Sequence, residues 1–359
     1  MTMVAKHENA GIGVSASWRD KVFTNAHALM LAVVLSASSV GAEAAEVATP
    51  SPGVDSEQGA LSARTQATLP VPDARRRTVS SKDGVRLAVY EYGPENAPTI
   101  VLVHGYPDTA AVWDQVVARL ANHFHVVTYD TRGAGASDHP PLTASYALPN
   151  LSDDLNAVLD ASAPGQPVHL VGHDWGSIQT WESVAKASMA GKIASFTSIS
   201  GPSMDLLSYW LQRNLLNPAE WPDVVQQAVA SSYIPLVELP QPSFVRDQLL
   251  NFLIFIQGDK KRVINSRDSS AGANLYRANI PQRVLFATYD RVPLQNIQLI
   301  VPTRDAFVKE ATMVEPVMTM PGGVRNLVKC PVDAGHWTQL SNPDDVTQCI
   351  LNFTAALAH

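Results

Sequence analysis

At 359 residues, 46% hydrophobic and 16% charged, the chain is long enough for one large domain or two average ones. It is too apolar for a disordered, charge-rich polymer. A formal net charge of −7 with no long basic run argues against a nucleic-acid footprint or a polybasic membrane surface, so a small, largely uncharged partner is expected.

The first 75 residues differ from the rest. Arg19 and Lys21 precede an apolar run over 26–40, and Gly41-Ala42-Glu43-Ala44 supplies small residues suited to signal-peptidase cleavage. Residues 1–42 therefore read as a secretory signal, which predicts a secreted or periplasmic protein. The run is shorter than the ~20 residues needed to cross a bilayer, so no stable membrane insertion is expected after cleavage. Met30 lies within the run, and an overlong start with a cytoplasmic product is the alternative. Residues 43–75, rich in Ala, Ser, Pro and Gln, read as a flexible linker.

From residue 76 short β-branched runs alternate with amphipathic ones. Strands are predicted at 85–92, Thr99–Val103, 124–129, 168–171 and Ile193–Ile199, with helices at 113–121, 151–161 and from about Ser177. This alternation implies a mostly parallel sheet covered on both faces, with ligands bound beyond the carboxyl ends of its strands. Over 202–283 the alternation gives way to aromatic, Pro-punctuated segments with no clear buried strand, which predicts an inserted helical cap. Sheet order resumes over 284–359, with strands at 297–301 and 327–332 and a last helix from Pro343 to about Ala356. Cys330 and Cys349 lack metal-site spacing, and the sequence leaves open whether they pair or stay as buried thiols.

The chemistry concentrates at the predicted strand ends. Gly172-His173-Asp174-Trp175-Gly176 joins a strand to a helix as a nucleophile elbow, with Asp174 where Ser is usual. His104-Gly105-Tyr106-Pro107 follows Thr99–Val103, and the amides of Tyr106 and Trp175 are the predicted oxyanion-hole donors. The Gly-rich stretch 130–138 lacks a phosphate-binding fingerprint and reads as a supporting loop. His336, in Ala334-Gly335-His336-Trp337, comes last in the order nucleophile, acid, His and is the candidate general base. Asp305, past the strand 297–301, is the candidate acid that orients it, with Asp333 and Asp290 as rivals.

These motifs together resemble the α/β-hydrolase fold epoxide hydrolases, a likeness that covers the chain from about Arg77 to its end. The resemblance implies a small apolar epoxide as substrate and no metal or organic cofactor. It also implies that Tyr276, in Asn274-Leu275-Tyr276-Arg277, and Tyr233, in Ser232-Tyr233-Ile234-Pro235, are a pair of ring-opening tyrosines. A haloalkane dehalogenase would share the aspartate elbow, but such enzymes usually carry Asn where this chain has Tyr106. Fluoroacetate dehalogenases usually carry Arg where it has Trp175. A non-catalytic ligand-binding member of the fold is the third reading.

Overall fold

A strand buried on both faces needs no polar residue, and Thr99–Val103 (β3) and His125–Tyr129 (β4) have no exposed position. A computed structural model of the protein describes residues 68–257 and 263–357. The signal 1–42 and most of the linker lie outside those residues. Among those described, an eight-stranded sheet also contains Arg75–Ser80 (β1), Arg86–Tyr92 (β2), Val168–His173 (β5), Ile193–Ile199 (β6), Asn296–Pro302 (β7) and Asn326–Val332 (β8). The order is β1-β2-β4-β3-β5-β6-β7-β8. β1 and β2 are antiparallel to their neighbours, and all later pairs are parallel.

The period of two along each strand sorts the core. Ile100 and Leu102 face one way, onto the helices Asp114–Leu120 (α1) and Pro343–Leu357 (last in the chain). Val101 and Val103 face the other way, onto Leu148–Ser162 (α2) and Trp175–Val184 (α3). Helices thus cover both faces, which is why the inner strands read as unbroken apolar runs.

β1 is an edge strand that the sequence reading does not contain. Only Val79 of its six residues is buried, so it carries three arginines and no apolar run. Residues 68–74, part of the linker expected from composition, have no regular secondary structure, yet Leu69 exchanges two backbone hydrogen bonds with the Gln115 side chain of α1 (2.9 and 3.1 Å).

Between β6 and β7 the chain forms the cap, with helices Met204–Asn214 (α4), Trp221–Ala230 (α5), Ile234–Glu238 (α6), Ser243–Ile256 (α7) and Ser266–Leu285 (α8). Helix Glu310–Met318 (α9), also absent from the sequence reading, connects β7 to β8; Thr338–Ser341 (α10) precedes the last helix, α11. Cys330 of β8 and Cys349 of α11 form a disulfide with Cα atoms 6.2 Å apart. Among the described residues no helix is long and apolar enough to cross a membrane.

Candidate active site

β5 ends at a sharp turn whose apex is Asp174. Its φ of 52° and ψ of −125° lie outside the regions open to L-residues, a strain of order 1–3 kcal/mol that the surroundings must hold. They do so through hydrogen bonds from Asp174 N–H to the Ile199 carbonyl and from Ile178 N–H to the Asp174 carbonyl, both 3.0 Å. Helix α3 can start directly after the turn only because Gly176 passes so close to β3 that a Cβ there would meet the Val103 carbonyl oxygen at 2.1 Å. The predicted helix start at Ser177 therefore moves back to Trp175.

The two carboxylate oxygens of Asp174 have different neighbours. Oδ1 accepts the Tyr106 N–H at 2.7 Å, whereas Oδ2 lies 3.7 Å from His336 Nε2. The Tyr106 amide is aimed by His104, whose Nε2 accepts from Thr131 N–H (3.0 Å), leaving Nδ1–H to donate to the Gly105 carbonyl (2.8 Å). Trp175, whose amide is the second predicted donor, opens α3 and packs its ring edge-on to Tyr276.

His336 Nδ1 donates to Asp305 Oδ2 at 3.0 Å, and Asp305 Oδ1 accepts from the amides of Phe307 (2.8 Å) and Val308 (3.1 Å). Both residues are buried. Burial acts to lower the His336 pKa, but the Asp305 carboxylate and the contacts with Asp174 outweigh it and push it up to about 10. Burial acts to raise Asp305, but the facing imidazolium and these hydrogen bonds bring it below the usual carboxylate range. The rival acids stand elsewhere: Asp333 is exposed and paired with Arg304 (3.3 Å), and Asp290 is exposed.

His173, the residue before Asp174, lies against His336 with ring centroids 4.8 Å apart. Its Nδ1 accepts from Gln339 Nε2 and its Nε2–H donates to the His336 carbonyl, both at 3.0 Å. Burial, helped by the nearby His336 charge, lowers it to about 4, so it is a neutral strut that holds the His336 backbone. A His on a buried strand beside the candidate nucleophile is the signal that could have marked it.

The cap brings two phenols over this constellation. Tyr276 of α8 is 4% exposed and stands edge-on to Trp175 (4.9 Å), Tyr106 (5.6 Å) and Tyr233 (6.4 Å). Tyr233, just before α6, is half-buried and stands edge-on to Phe307, which in turn stands edge-on to His336. Burial first, and then the Asp174 charge among others, drive both phenols well above their ordinary pKa, so both keep their protons at neutral pH and can donate. The Tyr106 hydroxyl donates to the Ser269 carbonyl of α8 (2.8 Å).

A mostly parallel sheet, a sharp strand-to-helix turn that presents Asp174 after β5, and Asp305 and His336 on the loops after the last two strands define the class. The model of the α/β-hydrolase fold matches residues 98–343, and the chain belongs to that family. The protein named Probable oxidoreductase EphD in Mycobacterium bovis is 31% identical over 304 residues, which cover 79% of this chain and 50% of that one. The chain thus spans half the length of that relative. Epoxide hydrolase 3 of Mus musculus is 25% identical over 293 residues, 75% of this chain and 74% of its own. Among solved structures, a variant of a Bacillus megaterium epoxide hydrolase with its diol product superimposes with a TM-score of 0.62 at 20% identity, covering 78% of this chain and all of the other. That likeness concerns the fold.

Proposed function

We propose that the chain is an epoxide hydrolase that works through an alkyl ester on Asp174. The observation that carries this reading is the split environment of the Asp174 carboxylate: one oxygen is held by a backbone amide, and the other faces the base beneath two protonated phenols. Named epoxide hydrolases among its relatives support the same reaction class.

In the first step Asp174 Oδ2 attacks an epoxide carbon, and the ring C–O bond breaks with its electron pair going to oxygen. Tyr276 or Tyr233 gives that oxygen a proton. Ester formation removes the Asp174 charge, and with it part of what holds the proton on His336. The imidazolium can then return a proton to the tyrosinate and become a neutral base. In the second step His336 Nε2 takes a proton from water, and the hydroxide adds to the ester carbonyl. The Tyr106 and Trp175 amides stabilise the oxyanion. Collapse breaks the bond from the carbonyl carbon to Oδ2, the leaving alkoxide takes the new carboxyl's proton, and a vicinal diol departs. Asp174 is again ionised and His336 again protonated.

Tyr106 favours this reading over a dehalogenase, because it stands where such enzymes carry Asn and its hydroxyl is committed to Ser269. Export belongs to the same proposal: the Cys330–Cys349 disulfide supports an oxidising compartment, and the N-terminal mass of protein recovered from periplasm or medium tests it.

The decisive experiment is His336→Ala mixed with styrene oxide. Alkylation should proceed and hydrolysis stall, so intact-protein mass spectrometry should show one added substrate mass that peptide mapping places on Asp174. An adduct elsewhere, or full diol formation by Asp174→Ala, sinks the covalent mechanism. Halide release from haloalkanes without diol formation from epoxides would favour the dehalogenase.

A further inference from the structure

We infer that Gln257, which follows α7 in the cap, is a positioning residue that fixes Asp305 and His336 relative to each other and so sets the rate of ester hydrolysis. This rests on the two-step reading above. Gln257 Oε1 accepts two backbone donors at once, Ala306 N–H at 3.1 Å and His336 N–H at 3.0 Å. One of these amides follows the acid and the other belongs to the base itself. Only the oxygen side of a carboxamide can accept two N–H groups, so the orientation of the side chain is determined by its partners.

The backbone makes the same approach. A Cβ at Gly335 would meet the Gln257 carbonyl oxygen at 2.7 Å, so the glycine before the base leaves room for the end of the cap helix. Backbone bonds already join the loops after β7 and β8, from Thr303 N–H to the Val332 carbonyl and from Arg304 N–H to the Ala334 carbonyl (both 2.9 Å), but they lie before the catalytic side chains. Gln257 ties the loops beyond them, where the Asp305–His336 hydrogen bond is made. The acid loop has a second hold on the cap: Gln227 of α5 accepts from Lys309 N–H and donates to the Phe307 carbonyl, both 2.9 Å.

The two chemical steps use different groups. Alkylation employs Asp174, the Tyr106 amide and the cap phenols, whereas the Gln257 side chain is spent on the Ala306 and His336 amides. Hydrolysis employs His336 Nε2, whose aim depends on the loop that Gln257 holds. Misplacement of a reacting group by about 1 Å can cost on the order of 10²-fold. In a two-step covalent reaction whose first step runs forward only, slowing the second step lowers kcat and KM by the same factor and leaves kcat/KM unchanged. A general loosening of the cap would instead lower kcat/KM, because the cap carries both tyrosines.

The test is steady-state kinetics of the full chain on styrene oxide. Gln257→Met keeps length and removes the acceptor; kcat and KM should fall together by about 10- to 100-fold with kcat/KM unchanged. Ester on Asp174 should accumulate in the steady state by intact mass. Gln257→Glu retains the acceptor oxygens and should restore the plateau kcat at alkaline pH, where its added charge no longer affects the protonation of the base. A wild-type kcat in Gln257→Met, or a loss of kcat/KM with no accumulated ester, overturns the inference. The His336→Ala control separates the two levels: no ester there overturns the two-step reading and this inference with it. An ester in His336→Ala beside a kinetically normal Gln257→Met overturns this inference alone.

Discussion

His336 lies between two carboxylates, 3.0 Å from Asp305 and 3.7 Å from Asp174, with almost no access to water. Its charge in the resting protein is therefore a matter of stability as well as chemistry. A histidine raised from 6.5 to about 10 binds a proton more tightly folded than unfolded. The stabilisation is fully present below pH 6.5 and is lost as pH rises toward 10. Asp305, lowered from 3.8, acts in the opposite sense: its contribution is present above that value and is lost as pH falls through the depressed one. The urea stability of the wild type over His336→Gln should therefore be greatest between about pH 4 and 6.5 and shrink steadily up to about pH 10. A gap that widened with rising pH would mean the resting imidazole is neutral. It would remove the charge switch from the proposed mechanism.

At the scale of elements, α8 carries Tyr276 and is seated on the Tyr106 turn by one glycine. A Cβ at Gly272 would meet ring atoms of Tyr106 at 2.4 and 2.6 Å, and that ring is tied to Ser269 one turn earlier on the helix. Alanine in a helix interior is better than glycine by about 1 kcal/mol, whereas overpacking a buried contact costs about 1–3 kcal/mol. Packing should win, so Gly272→Ala should lower the thermal midpoint and reduce turnover by shifting the Tyr106 amide and Tyr276 together. A more stable, fully active variant would show that the contact relaxes freely. Such couplings explain what the sequence made legible. Strands buried on both faces, like β3 and β4, announce themselves as apolar runs, and the order Asp174, Asp305, His336 follows from the elbow and two strand ends. β1 did not, because an edge strand with one buried side chain has no such run. Nor did α9, which carries Pro316 inside it and joins two strands the sequence did show. Gln227 and Gln257 look like solvated helix residues until the fold supplies partners some 80 positions away. The cysteine pairing was open for the same reason: proximity across β8 and α11 is a tertiary fact.

At the scale of the whole molecule, the cap must enter and leave the sheet without disturbing α3, and a buried charge cluster stands where these three meet. Arg283, near the end of α8, is 6% exposed and bonds Asp205 of α4 and Glu182 of α3, each at 2.9 Å. Thr288, just after the cap, donates to Asp205 from both its amide and its hydroxyl and also bonds Arg283. Removing one partner of a buried ion pair strands the others in a medium that solvates them poorly, a loss of about 3–5 kcal/mol. Asp205 would keep its Thr288 donors and Glu182 its contact with Lys186 (3.6 Å), which places Arg283→Met near the lower end, about 3 kcal/mol. The exposed pair of Arg304 and Asp333 has a similar N–O contact, 3.3 Å, but side chains 66% and 78% exposed, where a pair is worth about 0–1 kcal/mol. Chemical denaturation of Arg283→Met and Arg304→Met should therefore separate them clearly. Equal losses would show that the cluster is no clamp and that the cap is held by its apolar contacts alone. A loss confined to Arg283→Met places the junction of cap and core among the principal supports of the fold.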